Sequence, residues 1–186
     1  MVEQQKDNYT KFNVYFQDKS RFGLFTRNGK SLTIKGVKPV CPFVQDFKNN
    51  YLFGAFSPID GNHLLLEMPY CDTECFEIFL TELAKQKPEE YKILFLDNGA
   101  FHKAKRLQIP KNIALCFLPP YSPELNPAEK VWAFLKNKIT NRAFKTMALL
   151  NEFLDAIIAK DITMENIKSI THTNTYGCII DRLFIK

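Results

Sequence analysis

Three acidic residues, Asp18, Asp97 and Glu129, lie far apart along the chain, but each stands at the border of a predicted strand or helix. Phosphodiester hydrolysis requires an aligned nucleophile and stabilised charge on the attacking and leaving oxygens, which two Mg²⁺ ions about 3.5–4 Å apart provide. Magnesium prefers a few carboxylates together with water and phosphate oxygens. Three carboxylates are the smallest set that serves two ions, so these acids are the candidate metal ligands.

Asp97 is positioned by the apolar run KILFLD (92–97), which is typical of a strand buried on both faces. Asn98 and Gly99 follow at once and indicate a turn. In sheets with βα connections, ligands bind beyond the carboxyl ends of the strands. We therefore interpret Asp97 as a functional acid, and the alternative is that it only caps the next turn.

Asp18 ends the alternating segment FNVYFQD (12–18) and falls on its apolar face. An unpaired carboxylate there is costly unless it faces a metal or pairs with a neighbouring base such as Lys19. If 12–18 and 92–97 are parallel neighbours, Asp18 and Asp97 stand side by side and repel each other unless a cation neutralises them. The residues alone leave both interpretations of Asp18 open.

Glu129 has a competing structural explanation. Asn126 at the N-cap, Pro127 at the first helical position and Glu129 at the third form a capping-box pattern, and the spacing alone favours this role. Glu129 also lies one turn before Trp132, at the border of the apolar stripe, which directs it toward the sheet. Glu124, in the proline-rich loop, is the rival third acid.

The elements that must position these acids follow from hydrophobic periodicity. Strands are predicted at 12–18, 51–57, 63–68, 92–97 and 113–118, with a short strand or hairpin arm at 21–26, and helices at 73–86, 100–107, 127–140, 147–159 and about 164–170. Residues 27–50 are predicted to be irregular, and long loops of this kind are often functional. Antiparallel strands come first and βα alternation follows, which predicts an α/β mixed sheet with helices packed on it.

Composition bounds the class of protein. A chain of 186 residues predicts one domain, and its 17 phenylalanines predict an aromatic core. No apolar run reaches the length of a membrane span, and the amino terminus does not resemble a signal peptide. Five cysteines without an export signal indicate reduced thiols in the cytosol, and Cys71 and Cys75 have no second pair at zinc-ligand spacing.

Charge is concentrated around the acids. The net charge is +5, yet between Asp97 and Lys145 nine basic residues face three acidic ones. A basic field around a few acids suits a polyanion cut at a metal site. A solvated basic face is the alternative that charge alone favours.

Two segments carry a specific resemblance. The sequences LDNGAFH (96–102) and FLPPYSPELNPAEKVWAFLK (117–136) resemble the catalytic domain of DDE transposases, in particular the mariner-like superfamily and the six-thirty group of bacterial insertion sequences. A fainter similarity covers FQDKSRFGL (16–24), and the resemblance accounts for roughly residues 11–170. The segment between Asp97 and Glu129 is slightly shorter than is usual in that family.

The resemblance implies a ribonuclease-H-like fold: a mixed five-stranded sheet, three antiparallel strands and then a βαβ unit, flanked by helices. It implies that Asp18, Asp97 and Glu129 bind two Mg²⁺ ions, for which Mn²⁺ substitutes, and catalyse DNA strand cleavage and transfer for an insertion sequence. Asn98 and His102 match motif positions near the site as possible accessory residues. Residues 1–186 are then expected to be a single catalytic domain.

The resemblance also implies partners. DNA, as element ends and as target, is expected to contact basic residues of the 27–48 and 103–145 regions; the candidates are Lys35, Lys38, Lys103, Lys105, Arg106, Lys130 and Lys136. The family's helix-turn-helix domain has no counterpart in this sequence, so a separate domain or an upstream-frame product is an expected partner. A homodimer in the bacterial cytoplasm, at the nucleoid, is also expected. The alternatives are a stand-alone ribonuclease-H-like endonuclease and an inactive DNA-binding remnant.

Overall fold

The computed structural model describes residues 8–99, 102 and 106–172, which form one mixed sheet with helices on both faces. The strands are β1 (Lys11–Gly23), β2 (Asn49–Phe56), β3 (His63–Met68), β4 (Glu90–Leu96) and β5 (Ile113–Phe117). The helices are α1 (Thr73–Lys85), α2 (Ala128–Ile139), α3 (Met147–Asp161) and α4 (Met164–Thr171), and a short 3₁₀ turn covers Pro123–Leu125.

The strand order is β3-β2-β1-β4-β5. The first three strands pair antiparallel, whereas β4 pairs parallel to β1 and β5 parallel to β4. The predicted α/β fold, with three antiparallel strands followed by a βαβ unit, is confirmed. The central strand β1 separates the two kinds of pairing.

The register places the two aspartates next to each other. Phe16 of β1 pairs with Phe95 of β4, and their rings stack with centroids 5.2 Å apart. Asp18 and Asp97 each come two residues later, and side chains two apart share a face of a strand. The expectation that 12–18 and 92–97 are parallel neighbours is therefore confirmed.

Each face of the sheet has its own aromatic core. On one face, α1 buries Phe76 and Phe79 completely, and Phe79 contacts Phe53 of β2. On the other face, α2 buries Trp132, whose ring packs edge-on against Phe56 with centroids 5.5 Å apart. The ring of Phe22 on β1 also packs against Trp132, with centroids 6.3 Å apart. Aromatic rings bury much apolar area each, so these contacts hold α2 against the strand that carries Asp18.

The strand β1 is longer than its sequence pattern predicts. The polar residues after Asp18 suggest a break, with a second arm at 21–26, but β1 continues to Gly23 because β2 pairs with it as far as Asn49. Asp18 therefore lies inside a strand and not at its end. The pairing of β1 with β4 stops at Phe16, so the sheet opens beside Asp18.

Residues 24–48 form no helix or strand, but the base of this loop is pinned. The amide of Leu24 donates to the carbonyl of Lys48 at 3.1 Å, and the amide of Thr26 donates to that of Val44 at 3.0 Å. Asn141, in the left-handed conformation with φ of 61°, donates its amide to the carbonyl of Arg27 at 2.8 Å. Its side chain accepts from Gly29 at 2.8 Å, so the loop is tied to the end of α2.

Several expectations concern other parts of the chain. The helix predicted at 100–107 falls largely outside the described residues. The four described cysteines, Cys41, Cys71, Cys75 and Cys116, are free thiols. None of the described helices has both the length and the apolar character that a membrane span requires.

Candidate active site

Asp18 is a buried carboxylate held by the indole of Trp132. Nε1 of Trp132 donates to Oδ2 of Asp18 at 2.9 Å, and Asp18 is only 9% exposed. Burial, together with the charges of Glu129 and Asp97, raises the pKa of Asp18 to about 6, although a backbone hydrogen bond and the charge of Lys19 act in the opposite direction. The carboxylate is thus costly to ionise where it stands, as expected for an acid that lacks a full complement of positive partners.

Gly54 makes room for this contact. It lies directly opposite Asp18 in the β1–β2 register. A Cβ atom added at Gly54 would stand 2.8 Å from Cη2 of Trp132 and 2.5 Å from Cζ of Phe56. The glycine therefore permits the indole to reach across β2 to Asp18.

Asp97 has the opposite electrostatic environment. Its Oδ2 lies 2.8 Å from Nζ of Lys19, and its Oδ1 lies 3.2 Å from Nε2 of His102 and 2.9 Å from the amide nitrogen of Gly99. Hydrogen bonds with His102 and Lys19 hold the pKa of Asp97 well below its usual range, against the opposing effect of partial burial. Asp97 is therefore ionised at neutral pH.

Glu129 does not close a capping box. The amide of Asn126 already donates to the carbonyl of Pro123 at 2.9 Å, which leaves no free donor there for Glu129. Asn126 caps the helix alone, because its Oδ1 accepts from the amide of Ala128 at 3.1 Å. The capping role that the spacing favours is wrong for Glu129, whose side chain is exposed at the start of α2.

The three predicted acids line one cleft of about 410 Å³. Its other walls are Asn98, Gly99, Leu118, Pro119, Pro120, Tyr121, Ser122, Pro123 and Asn126. Glu124, the rival third acid, is exposed on the 3₁₀ turn and does not line the cleft. The cleft thus joins the end of β4, the middle of β1 and the start of α2, which come from distant parts of the sequence.

The donor set of the cleft fits a hard divalent cation. Carboxylate oxygens are what Mg²⁺ and Mn²⁺ prefer. Burial and the neighbouring acids raise the pKa of Asp18, and a bound cation would offset both effects. Across the described part of the chain, no three acidic, histidine or cysteine side chains stand close enough to chelate one ion as they are placed. As they are placed, Asp97 contacts Lys19 and His102, and Asp18 accepts a hydrogen bond from Trp132.

Asn98 and His102, the possible accessory residues, flank Asp97. Nδ2 of Asn98 donates to the carbonyl of Leu118, which ties the end of β4 to the end of β5. His102 is 2% exposed and packs edge-on against Phe76 with centroids 4.3 Å apart. Burial lowers the pKa of His102. In this structure both residues support the position of Asp97.

The candidate DNA-binding residues are spread over the surface. Lys35, Lys38, Arg106 and Lys130 are exposed, and Lys136 is half-buried on α2. Lys103 and Lys105 lie outside the described residues. A second cleft is lined by Lys136 together with Arg21, Arg27 and Lys48. Arg27 and Lys48 belong to the 27–48 region that was expected to contact DNA, whereas Arg21 was not a candidate for DNA binding. Sequence reasoning also weighed Lys19 only as a partner for Asp18, whereas Lys19 pairs with Asp97.

A family model described as DDE superfamily endonuclease matches residues 13–151, and the chain belongs to that family. The match covers β1 to the beginning of α3 and includes all three acids of the cleft. The resemblance drawn from 96–102 and 117–136 is confirmed at the level of the family.

The chain is also similar to individual known proteins. It is 44% identical over 97 residues, 51% of this chain and 72% of the relative, to the uncharacterized protein y4pE/y4sA of Sinorhizobium fredii. The pre-cleavage Mos1 transpososome gives a TM-score of 0.65 at 16% identity over 92% of this chain and 55% of that one. The Mos1 mariner paired end complex with Mn gives 0.64 at 18% identity over 86% and 52%.

The Mos1 likeness establishes the ribonuclease-H-like fold, as expected from the sequence. The chain spans about half the length of those solved transposase chains.

Proposed function

We propose that this chain is the catalytic domain of a transposase that cuts DNA strands and joins the cut end to target DNA for an insertion sequence. The observation that carries the proposal is the gathering of Asp18, Asp97 and Glu129 in one cleft of a DDE superfamily endonuclease fold. The Mos1 neighbours, whose structures contain transposon ends, support DNA as the substrate. One of them is a strand transfer complex.

The three acids would hold two Mg²⁺ or Mn²⁺ ions. Bound divalent ions lower the pKa of water and stabilise charge on the attacking and leaving oxygens of a phosphodiester. A neighbour solved with Mn and another solved with Mg support this choice of metal. Lys19, already 2.8 Å from Asp97, would keep that carboxylate ionised and oriented toward the cleft.

The surrounding residues suit the handling of a DNA strand. The walls Leu118 to Pro123 limit water at one side of the cleft, and the exposed lysines on α2 and the 24–48 loop contact phosphates. Joining needs no external energy source, because the 3′-hydroxyl forms a new P–O bond as the target's P–O bond breaks. A helix-turn-helix domain or upstream-frame product would supply recognition of element ends, and a homodimer at the bacterial nucleoid would bring two ends together.

Nicking of supercoiled plasmid tests the proposal. The chain is expected to nick DNA in Mg²⁺ or Mn²⁺ and not in EDTA. The Asp97→Asn substitution is expected to lower the rate roughly a thousandfold, the equivalent of about 4 kcal/mol of charge stabilisation. Glu124→Gln is the matched control and should nick as the parent does.

A pre-cut duplex with a free 3′-hydroxyl distinguishes transposase from nuclease. Joined products that disappear in Asp97→Asn support strand transfer, whereas nicking without joining assigns the chain as a stand-alone endonuclease. Metal-dependent nicking that survives Asp97→Asn would contradict the assignment of the site. DNA binding without metal-dependent nicking or joining would point to an inactive remnant.

A further inference from the structure

A second cleft, which none of the three acids lines, lies beside β1 and α2. It is formed by the end of β1, the base of the 24–48 loop and the last turns of α2, with a volume of about 410 Å³. Its lining holds four bases, Arg21, Arg27, Lys48 and Lys136, and a single acid, Asp46. Among the described residues, none of the four bases forms a salt bridge. The cleft therefore presents a net positive field to an anionic ligand.

Aromatic rings line the same cleft at the surface. Phe25 and Phe47 stack with centroids 5.7 Å apart and an interplanar angle of 26°, and Phe43 meets Phe25 edge-on. Phe47 is 74% exposed and Phe25 is 49% exposed. Exposed aromatic rings beside basic side chains are the combination that binds unpaired nucleotides, because every nucleobase has a face that can stack on an aromatic ring.

The cleft has a fixed shape. Asn141 ties the loop to the end of α2 through hydrogen bonds with Arg27 and Gly29. Thr26 joins the two sides of the loop through hydrogen bonds with Val44. Oγ1 of Thr26 accepts from the amide of Val44 at 2.8 Å, in addition to the backbone bond between them. The bases and rings are thus presented on anchored backbone, which limits the entropy lost on binding.

Lys136 connects this cleft to the acids. It stands seven residues after Glu129 on the same helix, about 10 Å along the axis. Burial and Arg27 lower the pKa of Lys136, whereas Glu129 and Asp18 raise it, so both clefts act electrostatically on this side chain. At the 3.4 Å per nucleotide of a base-stacked strand, 10 Å corresponds to at most about three steps, and an extended unpaired strand needs fewer.

We propose that this basic and aromatic cleft binds an unpaired nucleotide of the DNA strand, at most about three nucleotides from the phosphodiester at the acid cleft. Its base stacks on Phe47, and Arg21, Arg27 and Lys136 contact the adjoining phosphates. A duplex covers the faces of its bases, so the site selects DNA with a short single-stranded overhang. The inference rests on the proposed function, since it takes DNA to be the ligand.

Fluorescence anisotropy with labelled DNA hairpins in EDTA tests the inference without cleavage. The hairpins carry a blunt end or overhangs of one, three or five thymidines, in each polarity. We expect an overhang of three or more, in one polarity, to tighten binding about tenfold over the blunt end, and an abasic overhang to lose the gain. Phe47→Leu should abolish the gain, and Phe47→Tyr should keep it.

Matched variants separate this site from general charge and apolar effects. Ile34→Ala, in the exposed part of the loop, and Lys111→Ala, on a distant surface, should keep the preference for overhangs. Arg27→Ala should lower the salt dependence of binding by about one ion. Phe25→Leu gives a second test if Phe47→Leu unfolds, which thermal melting checks.

The outcomes distinguish the two proposals. Blunt DNA bound without a preference for overhangs, or a preference unchanged in Phe47→Leu or with abasic overhangs, overturns the stacking site and leaves the proposed function standing. If the preference is unchanged in Phe47→Leu but the oligomeric state changes, the phenylalanines belong to a contact between copies of the chain. If no DNA is bound, both proposals fail.

Discussion

The two ends of the sheet differ in whether all their charged side chains have partners of opposite charge. At the amino end of β4, Oε1 of Glu90 accepts from the hydroxyl of Tyr15 at 2.8 Å, and its Oε2 accepts from Nδ2 of Asn13 at 3.2 Å. Nζ of the fully buried Lys92 lies 3.8 Å from Glu90 and donates to the carbonyl of Lys87 at 3.0 Å. Every charge there has a partner built into the fold. At the carboxyl end, three acids share one cleft.

The difference separates a structural network from a working site. Burial and Glu90 raise the pKa of Tyr15 far above its usual range, so the tyrosine stays neutral and acts as a donor. At the other end, Lys19 forms its ion pair with Asp97, and burial together with Glu129 and Asp97 raises the pKa of Asp18 despite the hydrogen bond from Trp132. Groups of like charge without partners cost stability and are found at functional sites.

The largest expected effect on stability is at the amino end of β4, where Glu90 and Lys92 are paired. Glu90→Leu leaves the ammonium of Lys92 buried without an acid, which should lower the free energy of unfolding by about 3–5 kcal/mol in urea denaturation. Glu89→Leu, on the exposed neighbour, should change it little. The double variant Glu90→Leu with Lys92→Met should recover much of the loss. A single variant as stable as the parent would mean that this network does not stabilise the fold.

The next effect has the opposite sign. The pKa of Asp18 is about 6 in the fold against an ordinary 3.8, so the unfolded chain ionises first and stability falls as pH rises between these values. Asp18→Asn should therefore stabilise the metal-free protein at pH 7 by up to about 3 kcal/mol and change nothing below about pH 3.5. Thermal melts across pH measure this, with Asp155→Asn as the exposed control. If Asp18→Asn destabilised the protein at pH 7, ionised Asp18 would not lower the stability of the fold as proposed.

Metal binding should recover part of the stability that is lost when Asp18 ionises. Mn²⁺ at a hundred times its Kd should stabilise the protein by about 2.7 kcal/mol, seen as a rise in Tm. Glu129→Gln should reduce this rise in Tm, and Glu124→Gln should leave it unchanged, because of the two glutamates only Glu129 lines the cleft. An equal loss in both variants would remove Glu129 from the proposed ligand set.

The smallest expected effect concerns the fit of Trp132. Gly54→Ala introduces a methyl group 2.8 Å from the indole and should cost about 1–3 kcal/mol of stability. Because Trp132 is the only tryptophan, its fluorescence reports the displacement directly. Metal affinity should fall about ten- to a hundredfold, as for supports of metal ligands, and Trp132→Phe should show the same loss by calorimetry. Unchanged emission in Gly54→Ala would show that the indole has not moved.

Much of this arrangement was predictable from local pattern. The apolar run at 92–97 and the turn after Asp97 identify a buried strand that ends in an acid, and helical periodicity locates α2. The extension of β1 to Gly23 was not predictable, because β2, which is 26 or more residues away, supplies the pairing. The bond between Trp132 and Asp18 spans 114 residues and has no local signature.

The second cleft shows another limit of sequence patterns. Its basic residues are Arg21, Arg27, Lys48 and the distant Lys136, and the irregular segment 27–50 has no periodicity that shows whether Phe47 is buried or exposed. Only the folded chain reveals that the Phe47 ring is exposed and lies beside these basic residues. Glu129 shows the reverse case, since its local capping signal was strong and wrong: the carbonyl of Pro123 already satisfies the amide in question.

The left-handed Asn141 has a structural consequence. The loop residues 31–40 are all exposed. The base of this loop, at Arg27 and Gly29, is hydrogen-bonded to Asn141 just after α2, the helix whose first turn carries Glu129. A molecule that binds residues 31–40 would therefore be connected to the carboxyl end of α2 through the hydrogen bonds of Asn141 with Arg27 and Gly29.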